Sequence, residues 1–154
     1  MIEADVKGAP TPLLGDIETA IREGANKSFA AWKRWKESVS FTLKAAEQSL
    51  VSKVHRFGGT FDMAIANGRT SLVELKTSKG TYPEMVLQLA AYGMLWDENY
   101  PIDPIEEYHL LRLSKTSSAF HHASWLADQM EAPRKAFLHL RALYDLEKEV
   151  KSLL

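Results

Sequence analysis

Two strand-like runs meet at Asn67-Gly68, the first entered through Gly58-Gly59 and the second followed by Gly80 and Pro83, which leaves residues 58–92 few ways to fold. An Asn-Gly pair between alternating apolar residues is a strong hairpin signal, so 55–66 and 70–77 are expected to pair antiparallel. Gly80 breaks the second run, and Pro83 is preset for the first turn of a helix over 83–96, with Met85, Leu89, Gly93 and Trp96 as its buried line.

The register of this hairpin decides what its polar residues can do, because a slip of one residue turns a side chain to the other face. A two-residue Asn67-Gly68 loop pairs Ala66 with Arg69 and sets Asp62 opposite Val73, so that Asp62 and Glu74 point apart. A three-residue loop, Ala66-Asn67-Gly68 with Gly68 left-handed, pairs Ile65 with Arg69 and Asp62 with Leu72. Asp62, Glu74 and Lys76 then share a face, and Phe61, Met63, Ile65, Val73 and Leu75 form one apolar stripe on the other. The unbroken stripe favours the three-residue loop.

Around this unit, Leu13, Leu14, Ile17, Ala20 and Ile21 recur at helical spacing until Gly24, which predicts a short first helix. A second follows Asn26, with Phe29, Trp32 and Trp35 inward and Lys33 and Arg34 on the polar side. The β-branched and aromatic content of 39–52 predicts a strand, irregular near Ala45 and Ala46. Residues 105–113 read as another, 119–123 as a further one, and 129–154 as a long amphipathic closing helix. The expected organisation is a single domain over 1–154, with N-terminal helices at 13–38, a core at 39–113 and the closing helix.

At 154 residues, 45% hydrophobic and 25% charged, the chain suits one compact domain. It has no run of about 18 apolar residues and no leader-like start at Met1, so an intracellular protein without a membrane partner is expected. Cysteine is absent, which excludes disulfides, thiolate zinc sites, cysteine-ligated iron–sulfur clusters and a cysteine nucleophile. Any metal must sit on oxygen or imidazole. The net charge of -1 means that nucleic-acid affinity would come from local patches.

Asp62 and Glu74 could hold Mg²⁺ or Mn²⁺ with the Leu75 carbonyl, and Lys76 beside the ion could orient a water or stabilise negative charge. A solvated Glu74–Lys76 salt bridge is the plainer alternative. Gln88 and Tyr92, four apart on the helix, project from the same side and are either a surface pair or contacts for phosphate and lysine. Glu47, ahead of the Asp62 strand, is a possible third carboxylate. His55, His109, His121, His122 and His139 show no metal-ligand spacing.

Gly59-Thr60-Phe61-Asp62, Glu74-Leu75-Lys76 and Gln88-Leu89-Ala90-Ala91-Tyr92 together resemble the PD-(D/E)XK nuclease superfamily, in particular its RecB-type and phage exonuclease branch, with its GxxD, (D/E)xK and QxxxY motifs in this order. The resemblance covers roughly 47–113. It implies an α/β restriction-endonuclease-like mixed sheet flanked by helices, Asp62 and Glu74 as metal ligands, Lys76 as catalytic, Gln88 and Tyr92 on DNA or on Lys76, Ser78 and Lys79 as further DNA contacts, and Glu47 as an additional acid. A histidine-bearing helix that precedes the core in many members has no counterpart in 15–24, and the lack of cysteines assigns the chain to the members without an iron–sulfur staple.

The resemblance further implies a Mg²⁺- or Mn²⁺-dependent deoxyribonuclease acting on single-stranded DNA or DNA ends, an exonuclease or end-processing enzyme of recombination, repair or phage replication in a bacterial or phage-infected cell. A homo-oligomer or a recombination partner would fit such a role. The alternatives are an inactive DNA-end-binding module of the same fold, a structure-specific endonuclease, and an α/β interaction protein whose carboxylates are surface groups.

Overall fold

The computed structural model describes residues 1–15 and 18–154. In chain order it contains α1 (Ile2–Val6), α2 (Thr19–Ser38), β1 (Thr42–Ser52), β2 (Phe57–Ala66), β3 (Thr70–Lys76), α3 (Pro83–Asn99), β4 (Glu107–Leu113), β5 (Phe120–Leu126), a short 3₁₀ turn (Ala127–Met130) and α4 (Glu131–Lys151). The strands form one mixed sheet in the order β1-β2-β3-β4-β5. Only β3 and β4 are parallel, and α3 makes the crossover that a parallel pair requires. No helix among the described residues is long and apolar enough to cross a membrane.

Alternation along the strands divides the core in two. Ala64, Leu72, Tyr108 and Leu110 pack with Leu89, Leu95 and Trp96 of α3, whereas Met63, Ile65, Val73, Leu111 and Leu113 pack with Phe29, Trp32 and Trp35 of α2. The expected mixed sheet between helical layers is therefore present. Asp5 of α1 joins the second layer, accepting from Trp32 Nε1 at 2.8 Å and from Lys36 Nζ at 2.9 Å.

Three expectations are corrected. The N-terminal helix does not span 13–24: Leu13 is almost fully exposed, Ile17 lies outside the described residues, and α2 runs unbroken through Gly24 to Ser38. One interior glycine costs about 1 kcal/mol, less than the roughly 1.5–3 kcal/mol for burying even one large apolar side chain, and α2 buries Phe29, Trp32 and Trp35. The five-residue α1 was not expected at all.

The hairpin loop has three residues, but they are Asn67, Gly68 and Arg69, since Ala66 pairs with Thr70 and Ile65 with Ser71. Gly68 takes the left-handed conformation, φ +89°, that the turn demands. Asp62 thus comes opposite Glu74 instead of Leu72. Both registers keep the same faces, so Asp62, Glu74 and Lys76 remain on one side.

Phe61 leaves the predicted stripe. Its ring lies 5.7 Å from that of Trp96 in the α3 layer, while Met63 and Ile65 face α2. Alternation slips here beside a distorted β1, which has a register shift between Leu43 and Ala45 and a positive φ of 50° at Glu47. The expected closing helix is present as α4, with no residue fully buried and with Leu140, Leu143, Tyr144 and Val150 each more than half exposed.

Candidate functional site

The site lies where two strands part company. β2 is bonded to β3 from Met63 to Ala66, but from Asp62 back to Phe57 it keeps only its β1 partner. Leu75, just past the last β2–β3 pair, has an amide without a ladder acceptor, and Asp62 supplies one: Oδ2 accepts the Leu75 N–H at 2.6 Å. The carboxylate is therefore fixed to the backbone between Glu74 and Lys76.

From there a chain of side-chain bonds crosses to α3. Lys76 Nζ donates to Glu74 Oε1 at 2.8 Å and to Gln88 Oε1 at 2.6 Å, and Gln88 Nε2 donates to the Tyr92 hydroxyl at 2.8 Å. With its oxygen taken by lysine, Gln88 can only donate to Tyr92, so the phenolic hydrogen points elsewhere. Gly59 lets the ring approach β2, since a Cβ there would stand 2.7 Å from Tyr92 Cε1. The Glu74–Lys76 salt bridge of the plainer alternative exists, but it is one link of a longer network.

Burial dominates the electrostatics. It pushes Glu74 up to about 7, with the neighbouring Asp62 charge adding to the effect and Lys76 only partly opposing it. Asp62 is raised for the same first reason, despite the Leu75 amide and Lys76. Tyr92 is raised by burial and then by the Glu74 charge, so its hydroxyl stays protonated. Glu74 is 4% exposed and its Oε2 is buried without a hydrogen-bond partner among the described residues. An acceptor left bare in this way suits a hard cation, and two carboxylates with a nearby carbonyl and water are the donor set that Mg²⁺ takes.

The remaining candidates are less tightly gathered. Glu47 stands across from Asp62, between the pairs Ala46 with Met63 and Gln48 with Phe61, and burial followed by the Asp62 charge raises its pKa. Among the described residues no three acidic or histidine side chains form a ready metal cluster. Ser78 Oγ is turned to the Gly80 carbonyl at 2.6 Å, Lys79 is exposed, and the Lys79 carbonyl accepts from Arg112 Nη1 at 3.2 Å.

Sequence reasoning missed Arg112, which pairs with Lys76 in the parallel register and adds a second cation to that end of the sheet. Its only linear signal is its place in a strand, because β4 reaches Lys76 through a crossover. It also missed that His109 and His122 meet across β4 and β5, Nδ1 to Nε2 at 2.9 Å, on the α2 side of the sheet away from this site.

No family model matches the sequence, and no curated protein matches it. A solved structure of a candidate exonuclease from Eubacterium rectale is similar with a TM-score of 0.59 at 9% identity, over 92% of this chain and 61% of that one. This chain thus spans about three-fifths of that protein's length. An alkaline exonuclease from Laribacter hongkongensis is similar with a TM-score of 0.49 at 13% identity, over 97% of this chain and 81% of that one. At such identity the first likeness is one of fold: the mixed sheet and flanking helices of this chain are an architecture shared with that candidate exonuclease.

Proposed function

We propose that this protein is a divalent-metal-dependent DNA nuclease, acting as an exonuclease, with Asp62, Glu74 and Lys76 at its centre. The observation that carries the reading is the bonded chain from Glu74 through Lys76 and Gln88 to Tyr92, set against an Asp62 that is pinned to the Leu75 amide. The fold likeness to a candidate exonuclease supports it.

Asp62, Glu74 and the Leu75 carbonyl are the groups that would hold Mg²⁺ or Mn²⁺, and the bare Glu74 Oε2 fits that use. Such an ion, when bound, neutralises phosphate charge and acidifies water beside it. Lys76 has two of its three ammonium hydrogens committed to Glu74 and Gln88, which aims the third at a water or a non-bridging phosphate oxygen. Gln88 fixes the lysine, Tyr92 fixes Gln88 and keeps a hydrogen for the substrate, and Arg112, Lys79 and Ser78 lie at the Lys76 end of the sheet as phosphate contacts.

The test is cleavage of end-labelled single-stranded, duplex and flapped DNA with Mg²⁺, Mn²⁺ or EDTA, beside Lys76→Ala. Metal-dependent mononucleotide release that the variant loses is the expected result. Intact DNA in every lane, or equal cleavage by the variant, would overturn the reading.

A further inference from the structure

A groove of roughly 570 Å³ opens beside the lysine, walled by β2, α3 and α4. Lys76, Gln88 and Tyr92 line it together with the apolar Phe57, Met85, Phe137 and Leu140, and Glu84 is its one acidic lining residue. The rings of Phe57 and Phe137 meet edge to face at 4.7 Å, and Leu140 is more than half exposed although it sits on the groove wall. Gly58 and Gly59 line the β2 side.

Whatever occupies this groove touches the group that would handle the scissile phosphate. A phosphodiester carries a sugar and base on either side, and a mainly apolar slot beside the phosphate suits the flat face of a base and not its hydrogen-bonding edge. Within a duplex the base faces are covered by stacking, and even the terminal base, open on one face, stays tied to its partner, so an unpaired base is the one free to enter the groove.

From this we infer that the groove is a subsite for one unpaired nucleobase adjacent to the scissile phosphate, held by Phe57, Met85, Phe137 and Leu140 with little regard to base identity. The inference rests on the nuclease reading above and deepens it, because it makes an unpaired end the substrate and gives α4 a part in binding it.

The experiment uses single-stranded oligonucleotides with one abasic residue stepped across the cleavage position, in Mg²⁺, with the parent protein, Leu140→Asp and the control Leu146→Asp. Leu146 is an exposed apolar residue of the same helix that does not line the groove. An abasic residue at one flanking position is expected to lower kcat/KM about tenfold, in line with the ~1–3 kcal/mol of base stacking on such surfaces. Leu140→Asp should cause a similar loss on the intact strand and little further loss on the abasic one, while Leu146→Asp matches the parent. Parent cleavage that ignores both the abasic residue and Leu140→Asp overturns the subsite and spares the nuclease reading. Absence of metal-dependent cleavage by the parent overturns both.

Discussion

The Asp62 carboxylate accepts the Leu75 amide hydrogen at 2.6 Å, so the side chain proposed to bind metal also ends the β2–β3 ladder. These two duties can be separated by substitution. Asp62→Ala strips the acceptor from a sheltered amide and is expected to cost about 1–3 kcal/mol of stability. Asp62→Asn keeps an acceptor and should stay within about 1 kcal/mol of the parent while losing Mn²⁺ affinity. Calorimetric titration and urea unfolding of the two variants check this, and unchanged Mn²⁺ affinity in the asparagine variant would remove Asp62 from the ligand set.

Gln88 holds Lys76 through its oxygen and Tyr92 through its nitrogen. Gln88→Leu is expected to lower kcat about tenfold or more by releasing the lysine, with DNA affinity changed much less, because misplacement of a reacting group costs rate more than binding. Gly59→Ala should act on the same chain by moving the Tyr92 ring, so its effect should shrink in a Tyr92→Leu background. Independent, additive losses in that double variant would mean that Gly59 matters for another reason.

Glu74 gives metal-free protein a pH dependence of known sign. Its folded pKa, about 7, lies above the usual carboxylate value. The unfolded chain therefore loses this proton first as pH rises, and the stability contributed by neutral Glu74, complete below pH 4.5, is lost progressively as pH climbs from there to about 7. In EDTA above neutrality, Glu74→Gln should be more stable than the parent by on the order of 2 kcal/mol, and saturating Mg²⁺ should reverse the order by stabilising only the parent. Thermal melts with and without the ion would reveal either outcome.

On the other face of the sheet the sign is opposite. Trp35 Nε1 can only donate, to His122 Nδ1 at 3.4 Å, so His122 Nε2 carries its ring's hydrogen toward His109 Nδ1. Glu107 lies 3.7 Å from His109 Nε2, and the His121 charge also acts on His122. Burial, with the His122 charge, lowers His109 to about 4. The unfolded histidine protonates first, so this stability is whole above pH 6.5 and drains away as pH falls toward 4. Between pH 7 and 5 the parent should lose about 2 kcal/mol more than His109→Gln in urea titrations. Equal losses would show that the buried pair does not govern acid stability.

How much of this was readable in the chain varies with the range of the interactions. The hairpin, the shared face of Asp62, Glu74 and Lys76 and the Gln88–Tyr92 pair follow from turn chemistry and periodicity, which act over a few residues. The one-residue error in the loop arose because both three-residue registers keep the same faces, so the apolar pattern could not choose between them. Phe61 was misplaced because the distortion that turns it belongs to β1, on the neighbouring strand. Arg112 beside Lys76 and His109 against His122 depend on strand order, which local pattern does not encode.

The parallel pairing of β3 with β4 also separates the molecule in time. Asp62, Glu74, Lys76, Gln88 and Tyr92 come from a hairpin and the helix that follows it, elements that close in microseconds through contacts near in sequence. The Arg112 strand must pair across the longer α3 crossover, and α4 reaches back from farther still along the chain. The polar network should thus be sketched early in folding and locked late, so substitutions at the α3–α4 boundary are expected to quicken unfolding while leaving the folding rate almost untouched.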